Sequence, residues 1–319
     1  MNTLRAHGEN PSAFLALNEG NRHFTVPGAD GLISYRRSGR YLVQFGGVFA
    51  AEKDQDGLLS GFRAFARSER CRIVAVQVQR EDAGLYAEHG FTINQVGASY
   101  SLDLSSFSLR GTRFVKLRNK ISRARRSGLE VSEVPWESCA KELEEIDRPW
   151  LRSKGRHVKE IEFLVGQLGG PAQEHRRLFL GRIDGAPVAY ISYSPAFGSR
   201  SGQLHDLSRR LPDAPPGVME AVNLHATERF IEEKAQWLHF GFTPFTGLDP
   251  EHEVPSASPL TGKFMRLLAQ HGAAVYPAGT QLAYKEKWAP QLVLPEYLAF
   301  ERGASPGAIW QILRVTKSV

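Results

Sequence analysis

The sequence predicts a mixed α+β fold of two similar halves joined by a basic helix, and three observations carry that prediction. The 319 residues are 42% hydrophobic, with 18 Phe, 9 Tyr and 5 Trp, enough for two cores of ordinary domain size. Apolar runs of strand length, such as Arg72–Val78 and Pro187–Tyr193, alternate with segments of helical period. Charge is concentrated: residues 110–126 hold eight basic side chains and no acid, while the whole chain carries +6. The remainder is therefore slightly acidic. Global disorder is excluded by the aromatic and aliphatic content, and no run reaches the roughly 20 apolar residues of a membrane span. Cys71 and Cys139 are too few for a disulfide framework or a Cys-based zinc site. The opening residues lack the apolar core of a secretory signal, so a cytoplasmic protein is expected.

Taken in order, residues 1–20 read as loosely ordered. His23–Val26, Leu32–Arg37 and Tyr41–Phe45 have the pattern of short strands between Gly-containing turns. Lys53–Ser68 places Leu58, Phe62 and Phe65 on one side of a helix. Strand Arg72–Val78 follows, then a short helix ending at Gly90, with Phe91 opening the next strand and Tyr100–Leu104 closing the first block. In the basic segment, Phe114, Leu117, Ile121 and Ala124 recur at helical steps, and Gly128 is a suitable stop. Leu129–Val134 is a strand and Trp136–Arg152 a helix. The second block repeats the theme. Leu178–Ile183 and Pro187–Tyr193 flank Asp184-Gly185, a hairpin signal because both residues tolerate the positive φ of a type I′ turn. Gly202–Leu207 is a strand, Pro212–Gly217 a turn, and the next helix runs to Lys234 with Met219, Val222, Ala226 and Phe230 inward. Strand Trp237–Phe242, helix Thr261–His271 and strand Gln281–Trp288 complete the series. The expected units are 1–109, a linker helix over 110–128, and 129–319.

The basic helix has two readings: a solvated linker, or a track for the phosphates of nucleic acid or anionic lipid. No H-E-x-x-H spacing occurs among the ten His, and neither G-x-S-x-G nor a P-loop is present. His225 fits a half-buried packing role, and His205 and His239 would meet only if their strands were neighbours. Cys71, at the start of a core strand, reads as structural. Gly84–Phe91 (GLYAEHGF) resembles the helix-to-strand signature of the GNAT acetyltransferases. That family's Q/R-x-x-G-x-G/A loop, which cradles a pyrophosphate on a helix N-terminus, is absent, so an ordinary acetyl-coenzyme A enzyme is disfavoured.

Longer stretches carry a second resemblance. Phe107–Val131, His205–Leu248 and Tyr284–Leu298 resemble the catalytic region of bacterial phosphatidylglycerol lysyltransferases, the multiple peptide resistance factor family. Trp150–Gly166, with Lys159-Glu160 and Phe163, fits more loosely, and the likeness covers residues 40–300. It implies two tandem GNAT-like domains and a transferase that takes its aminoacyl group from tRNA as co-substrate, with no metal or coenzyme. By the same resemblance the catalytic candidates are Asp206, Arg209, Lys285 and Lys287. Asp206 would accept a hydrogen bond from a hydroxyl or ammonium, and Arg209 would offer a planar fork to phosphate or carboxylate. Lys285 and Lys287, two apart on the expected strand, would project from one face toward the tRNA end or the oxyanion. The tRNA-binding candidates are Arg113, Lys116, Arg118, Lys120, Arg123, Arg125 and Arg126. Two departures bear on the acceptor. The family's Asp-Leu-Met-Arg reads Asp206-Leu207-Ser208-Arg209, and its Asn-Leu-Gly-Met reads His239-Phe240-Gly241-Phe242. Lipid-modifying members also carry a multi-span membrane domain that this sequence lacks. A stand-alone member with a soluble small-molecule acceptor is therefore expected ahead of one acting on phosphatidylglycerol, with peripheral membrane contact in the latter case. The alternatives are a coenzyme A-dependent N-acyltransferase and a non-catalytic tRNA- or membrane-binding module.

Overall fold

The computed structural model describes residues 1–154, 162–271 and 278–318. Eleven strands among them form one sheet: β1 (Arg22–Phe24), β2 (Gly31–Ser38), β3 (Tyr41–Ala50), β4 (Arg72–Val78), β5 (Thr92–Asp103), β6 (Leu129–Glu133), β7 (Arg177–Ile183), β8 (Ala186–Ala196), β9 (Gly202–Arg210), β10 (Trp237–Pro244) and β11 (Leu292–Phe300), in the spatial order β1-β2-β3-β4-β11-β5-β10-β9-β8-β7-β6. The helices are α1 (Asn2–His7), α2 (Glu52–Ser68), α3 (Ala83–Glu88), α4 (Val115–Arg126), α5 (Trp136–Lys154), α6 (Val218–Glu232), α7 (Pro259–His271), α8 (Ala278–Glu286) and α9 (Pro306–Val315).

The two halves share one plan. In each, an antiparallel hairpin leads into a parallel pair, β3 with β4 and β9 with β10. A parallel pair needs a crossover, supplied by α2 in one half and α6 in the other. Both pairs stop bonding early, β3/β4 after Phe45 and Val76 and β9/β10 after Leu204 and His239. The strands then part and leave a wedge. Left-handed backbone marks both openings, at Gly46 (φ 67°) and Gln77 (φ 55°) in the first and at Gly241 (φ 69°) in the second.

Alternation along the strands divides the core. On β4, Ile73, Ala75 and Val78 pack against α2 and α3 with Leu58, Phe62 and Tyr86, while Val74 and Val76 face α1 and α9. Across β8, Ile191 and Tyr193 meet α4 and α6, and Tyr190 meets α5. Strands covered on both faces read as continuous apolar runs, which is why Arg72–Val78 was visible from its composition. The apolar stripe of the basic helix, Leu117, Ile121 and Ala124, is buried on α6. The Asp184-Gly185 hairpin turns as expected, with φ of 50° and 81°.

Two expectations need correction, and one strand was not expected. Residues 1–20 are packed: α1 and a 3-10 turn over Ala13–Leu17 insert Leu4, Phe14 and Leu15 into the core. Gln281–Trp288 is mostly the end of helix α8, so Lys285 sits in its last turn and Lys287 just beyond it. Leu282, Tyr284 and Trp288, which all meet one core, fit either period over so short a run. Finally β11, which carries Pro295, enters between β4 and β5. A central strand ordinarily excludes Pro. Pro295 is accommodated because it pairs with Ala98 of β5 at a level where β4, bonded only to Tyr297–Phe300, has already ended.

The seat of α4 on α6 is close. Gly217, at φ 96°, precedes α6, and a Cβ there would stand 2.1 Å from the Lys120 carbonyl oxygen. Gly217→Ala should therefore destabilise the protein by about 2 kcal/mol or more in urea unfolding, through both strain and overlap.

Candidate functional site

The site is built around the second wedge, and the two sheet faces contribute differently. β8 turns Tyr190, Ser192 and Ser194 to one face and Tyr193 to the other. His205 registers with Tyr193 and Leu207 with Ser192, leaving Asp206 as an extra residue in a bulge. The Asp206 side chain is fully buried, with Oδ2 3.4 Å from Nε of an equally buried Arg176. Ser192 and Ser194 lie beside it. Gly166 crosses directly above: its N–H donates to the Asp206 carbonyl at 2.9 Å, and a Cβ there would lie 2.4 Å from Asp206 Cγ. Burial pushes the Asp206 carboxyl up to about 6, against the pull of Arg176. Arg176 is itself held over the Phe14 ring at 4.9 Å and donates to Asn18 Oδ1 at 2.8 Å.

Arg209, opposite Tyr190, faces the same way but has other partners. Its guanidinium meets Asp147 of α5 at 2.7 Å and lies 4.9 Å from the Trp150 ring. The Tyr190 hydroxyl donates to the second Asp147 oxygen at 2.6 Å. A cavity of about 470 Å³ opens beside this group, lined by Arg36, Asp147, Glu162, Phe163, Gly166 and Gln167. Lys159 and Glu160 lie outside the described residues.

The opposite face holds an aromatic chamber. His205 is 5.4 Å from Tyr193, 5.9 Å from Tyr284 and 6.1 Å from Phe240, ring centre to ring centre, and Tyr284 adjoins Trp288. The chamber's buried polar side chains fall into two pairs, His205 with Asn223 and Tyr284 with Trp288. Burial, with Lys285 nearby, holds His205 down to about 3 and thus neutral. Lys285 reaches across the wedge: its ammonium donates to the carbonyls of Gly241 (2.6 Å) and Phe242 (3.2 Å), groups beyond the last register of β10 with β9. Desolvation pushes it down to about 7, opposed by the negative charge of Glu296. Glu296 is buried too, accepts from the Ser99 hydroxyl, and is pushed up to about 7.

Lys287 points elsewhere. It bonds Glu220 at 3.0 Å, and Lys120 of the basic helix lies 3.6 Å from the same oxygen. Glu220 thus ties α4, the first turn of α6 and the end of α8 together; nothing local in the sequence singles it out. The four catalytic candidates consequently belong to four different contacts, with Asp206 and Arg209 on one face and Lys285 and Lys287 on the other. Arg176, Asp147, His205 and Glu296 complete these contacts, and only His205 and Glu296 lie in the motif stretches.

On the basic helix, Arg118 is used internally, donating to the carbonyls of Leu109 and Gly111, and Arg113 lies over Phe114. Arg125 reaches Glu228 at 3.9 Å. Lys116, Arg123 and Arg126 stay exposed without an ion pair among the described residues. His239 does not meet His205. It registers with Leu204, takes the other face, and is satisfied by Ser101 and the Arg200 carbonyl. His225 is half-buried against Phe179. Among the described residues no group of His, Cys, Asp or Glu is placed to hold a metal, and no helix is long and apolar enough to cross a membrane.

A mixed sheet with two splayed parallel pairs, each crossed over by a helix, is a GNAT-like fold, here with a buried polar chamber at one pair and a cationic helix packed alongside. The chain belongs to the phosphatidylglycerol lysyltransferase C-terminal family, whose model matches residues 1–300. It is 24% identical over 307 residues, or 95% of its length, to the phosphatidylglycerol lysyltransferase of Bacillus subtilis, of which it spans 35%. The chain thus covers about a third of the length of the curated relatives it matches. Two solved structures share the fold. The C-terminal domain of a protein assigned as a lysylphosphatidylglycerol synthetase from Agrobacterium fabrum superposes with a TM-score of 0.79 at 21% identity, covering 99% of this chain and 94% of that one. L-PGS from Bacillus licheniformis gives 0.77 at 22%, covering 99% and 95%.

Gly166→Ala should displace the segment over Asp206, at a cost of about 1–3 kcal/mol in thermal or chemical unfolding.

Proposed function

We propose that the chain transfers an aminoacyl group from aminoacyl-tRNA to a hydroxyl of phosphatidylglycerol. The observation that carries this is the buried chamber of His205, Asn223, Tyr284 and Trp288 beside Lys285, a group whose protonation changes near neutral pH. Family membership supplies the substrate class. Relatives named for phosphatidylglycerol move that lipid ahead of the small-molecule acceptor expected from the altered motifs. An aminoacyl ester is already activated, so catalysis needs positioning, a proton acceptor and charge stabilisation. Lys285, as the free amine, takes the proton of the attacking hydroxyl. The new C–O bond forms as the tRNA ribose oxygen leaves and accepts that proton, and the donors His205, Tyr284 and Trp288 line the space for the carbonyl. Asp206, covered by Gly166, acts at one remove: its bulge with Arg176 presents His205 to the chamber. Exposed Lys116, Arg123 and Arg126 contact tRNA phosphates, and Glu220 links that helix to the chamber.

The deciding assay follows label from a full set of charged tRNAs into lipid and water-soluble fractions, with phosphatidylglycerol vesicles present. Label in lipid is the expected result. Label in a soluble product would restore the small-molecule acceptor, and no acceptor-dependent loss from any tRNA would remove the transferase assignment. In single turnovers the rate should fall tenfold per pH unit below about pH 7 and level off above it, because protonation disables Lys285. Lys285→Met should lower the rate at least about 100-fold and abolish that inflection while leaving tRNA affinity unchanged. Changing Lys116, Arg123 and Arg126 to Gln should weaken tRNA binding and lower the slope of log K against log salt by roughly two to three. An unchanged slope would free α4 of that role.

A further inference from the structure

Helix α7 is amphipathic in an unusual sense, because its outward line is apolar. Met265 is buried and Leu268 half-buried, turned to the core. Facing out are Leu260, Phe264 and Leu267, exposed by 82%, 50% and 53%. They stand four and three residues apart, so they form one continuous line along the helix. Single exposed apolar residues are ordinary. Here three of the seven large exposed hydrophobics among the described residues share one line on one helix. The exposed Lys263 sits within that line, and Arg266, tethered to Glu253 at 3.3 Å, flanks it.

Taking usual side-chain areas, the line offers about 300 Å² of apolar surface, well short of the roughly 800 Å² per partner in a stable protein interface. A shallow line of Leu and Phe beside cations is instead what a helix lying in a lipid headgroup layer presents. We propose that the α7 face formed by Leu260, Lys263, Phe264 and Leu267 seats the chain on an anionic phospholipid surface, a partner that rests on the acceptor proposed above. The three apolar side chains enter the headgroup–acyl boundary, and Lys263 meets lipid phosphate. α7 packs on β5, the strand bonded to β10 of the wedge, so seating it sets the chamber in a fixed attitude to the bilayer.

The test is vesicle co-sedimentation of the full chain with phosphatidylcholine alone or mixed with phosphatidylglycerol, comparing it with Leu260→Gln/Phe264→Gln. Both positions are exposed, and equal melting temperatures would show an intact fold. Binding to the mixed vesicles that weakens at least tenfold in the variant and fades with salt is the expected result. Equal binding by both proteins, or none by either, overturns the proposal. So does a variant that loses only self-association in sedimentation velocity, since a second copy would then be the occupant. Transfer to a short-chain, fully water-soluble phosphatidylglycerol separates the two ideas. The variant should match the parent there, whereas failure of that transfer in the parent would count against the acceptor and leave vesicle binding to be judged alone.

Discussion

Parallel strands that stop bonding before they end leave backbone groups that something else must satisfy, and in this molecule the second such place shapes all that surrounds it. Where β10 parts from β9, the carbonyls of Gly241 and Phe242 lie beyond the last register with that strand, although Phe242 still registers with Ser99 of β5. Lys285 supplies the donor, which requires a cation buried near Tyr100 and within the field of Glu296. Neither charge is comfortable there. Burial lowers one and raises the other toward the same range. The backbone at Gly241 is left-handed where its carbonyl meets Lys285.

The other sheet face answers to a different constraint. Asp206, Arg176, Arg209 and Asp147 are all held by specific partners, and a close-packed backbone at Gly166 closes over the first of them. Buried ion pairs contribute little net stability but fix geometry strongly, since a lone survivor of such a pair is costly. What they fix here is the bulge in β9, and with it the aim of His205. The chamber's polar side chains are held in place by the surrounding aromatic packing.

Local pattern made much of this legible. Arg72–Val78, the Asp184-Gly185 turn and the stripe on α4 each declare themselves within a dozen residues, where period and turn chemistry suffice. Ambiguity begins where a run is short, as at Gln281–Trp288, or where a residue breaks a general rule for a local reason, as Pro295 does. For the site, motif likeness named Asp206, Arg209 and Lys285 as candidates but did not name the residues they contact. Arg176 reaches Asp206 from 30 residues earlier, Asp147 reaches Arg209 across α5, and Glu220 joins three elements at once. Such pairings are properties of the assembled sheet, and no window along the chain contains them.

The position of β11 bears on how the molecule comes into being. β4 and β5 are neighbours in sequence, yet the strand between them is made about 190 residues after β5 (residues 92–103 against 292–300). During synthesis each of those strands presents an open edge until residue 300 has emerged, and open edges on apolar strands invite foreign pairing. The first half therefore cannot mature ahead of the second. Closing so distant a pairing is entropically slow, and β4, β5 and β11 have to be kept apart from other polypeptides for as long as it takes them to find one another.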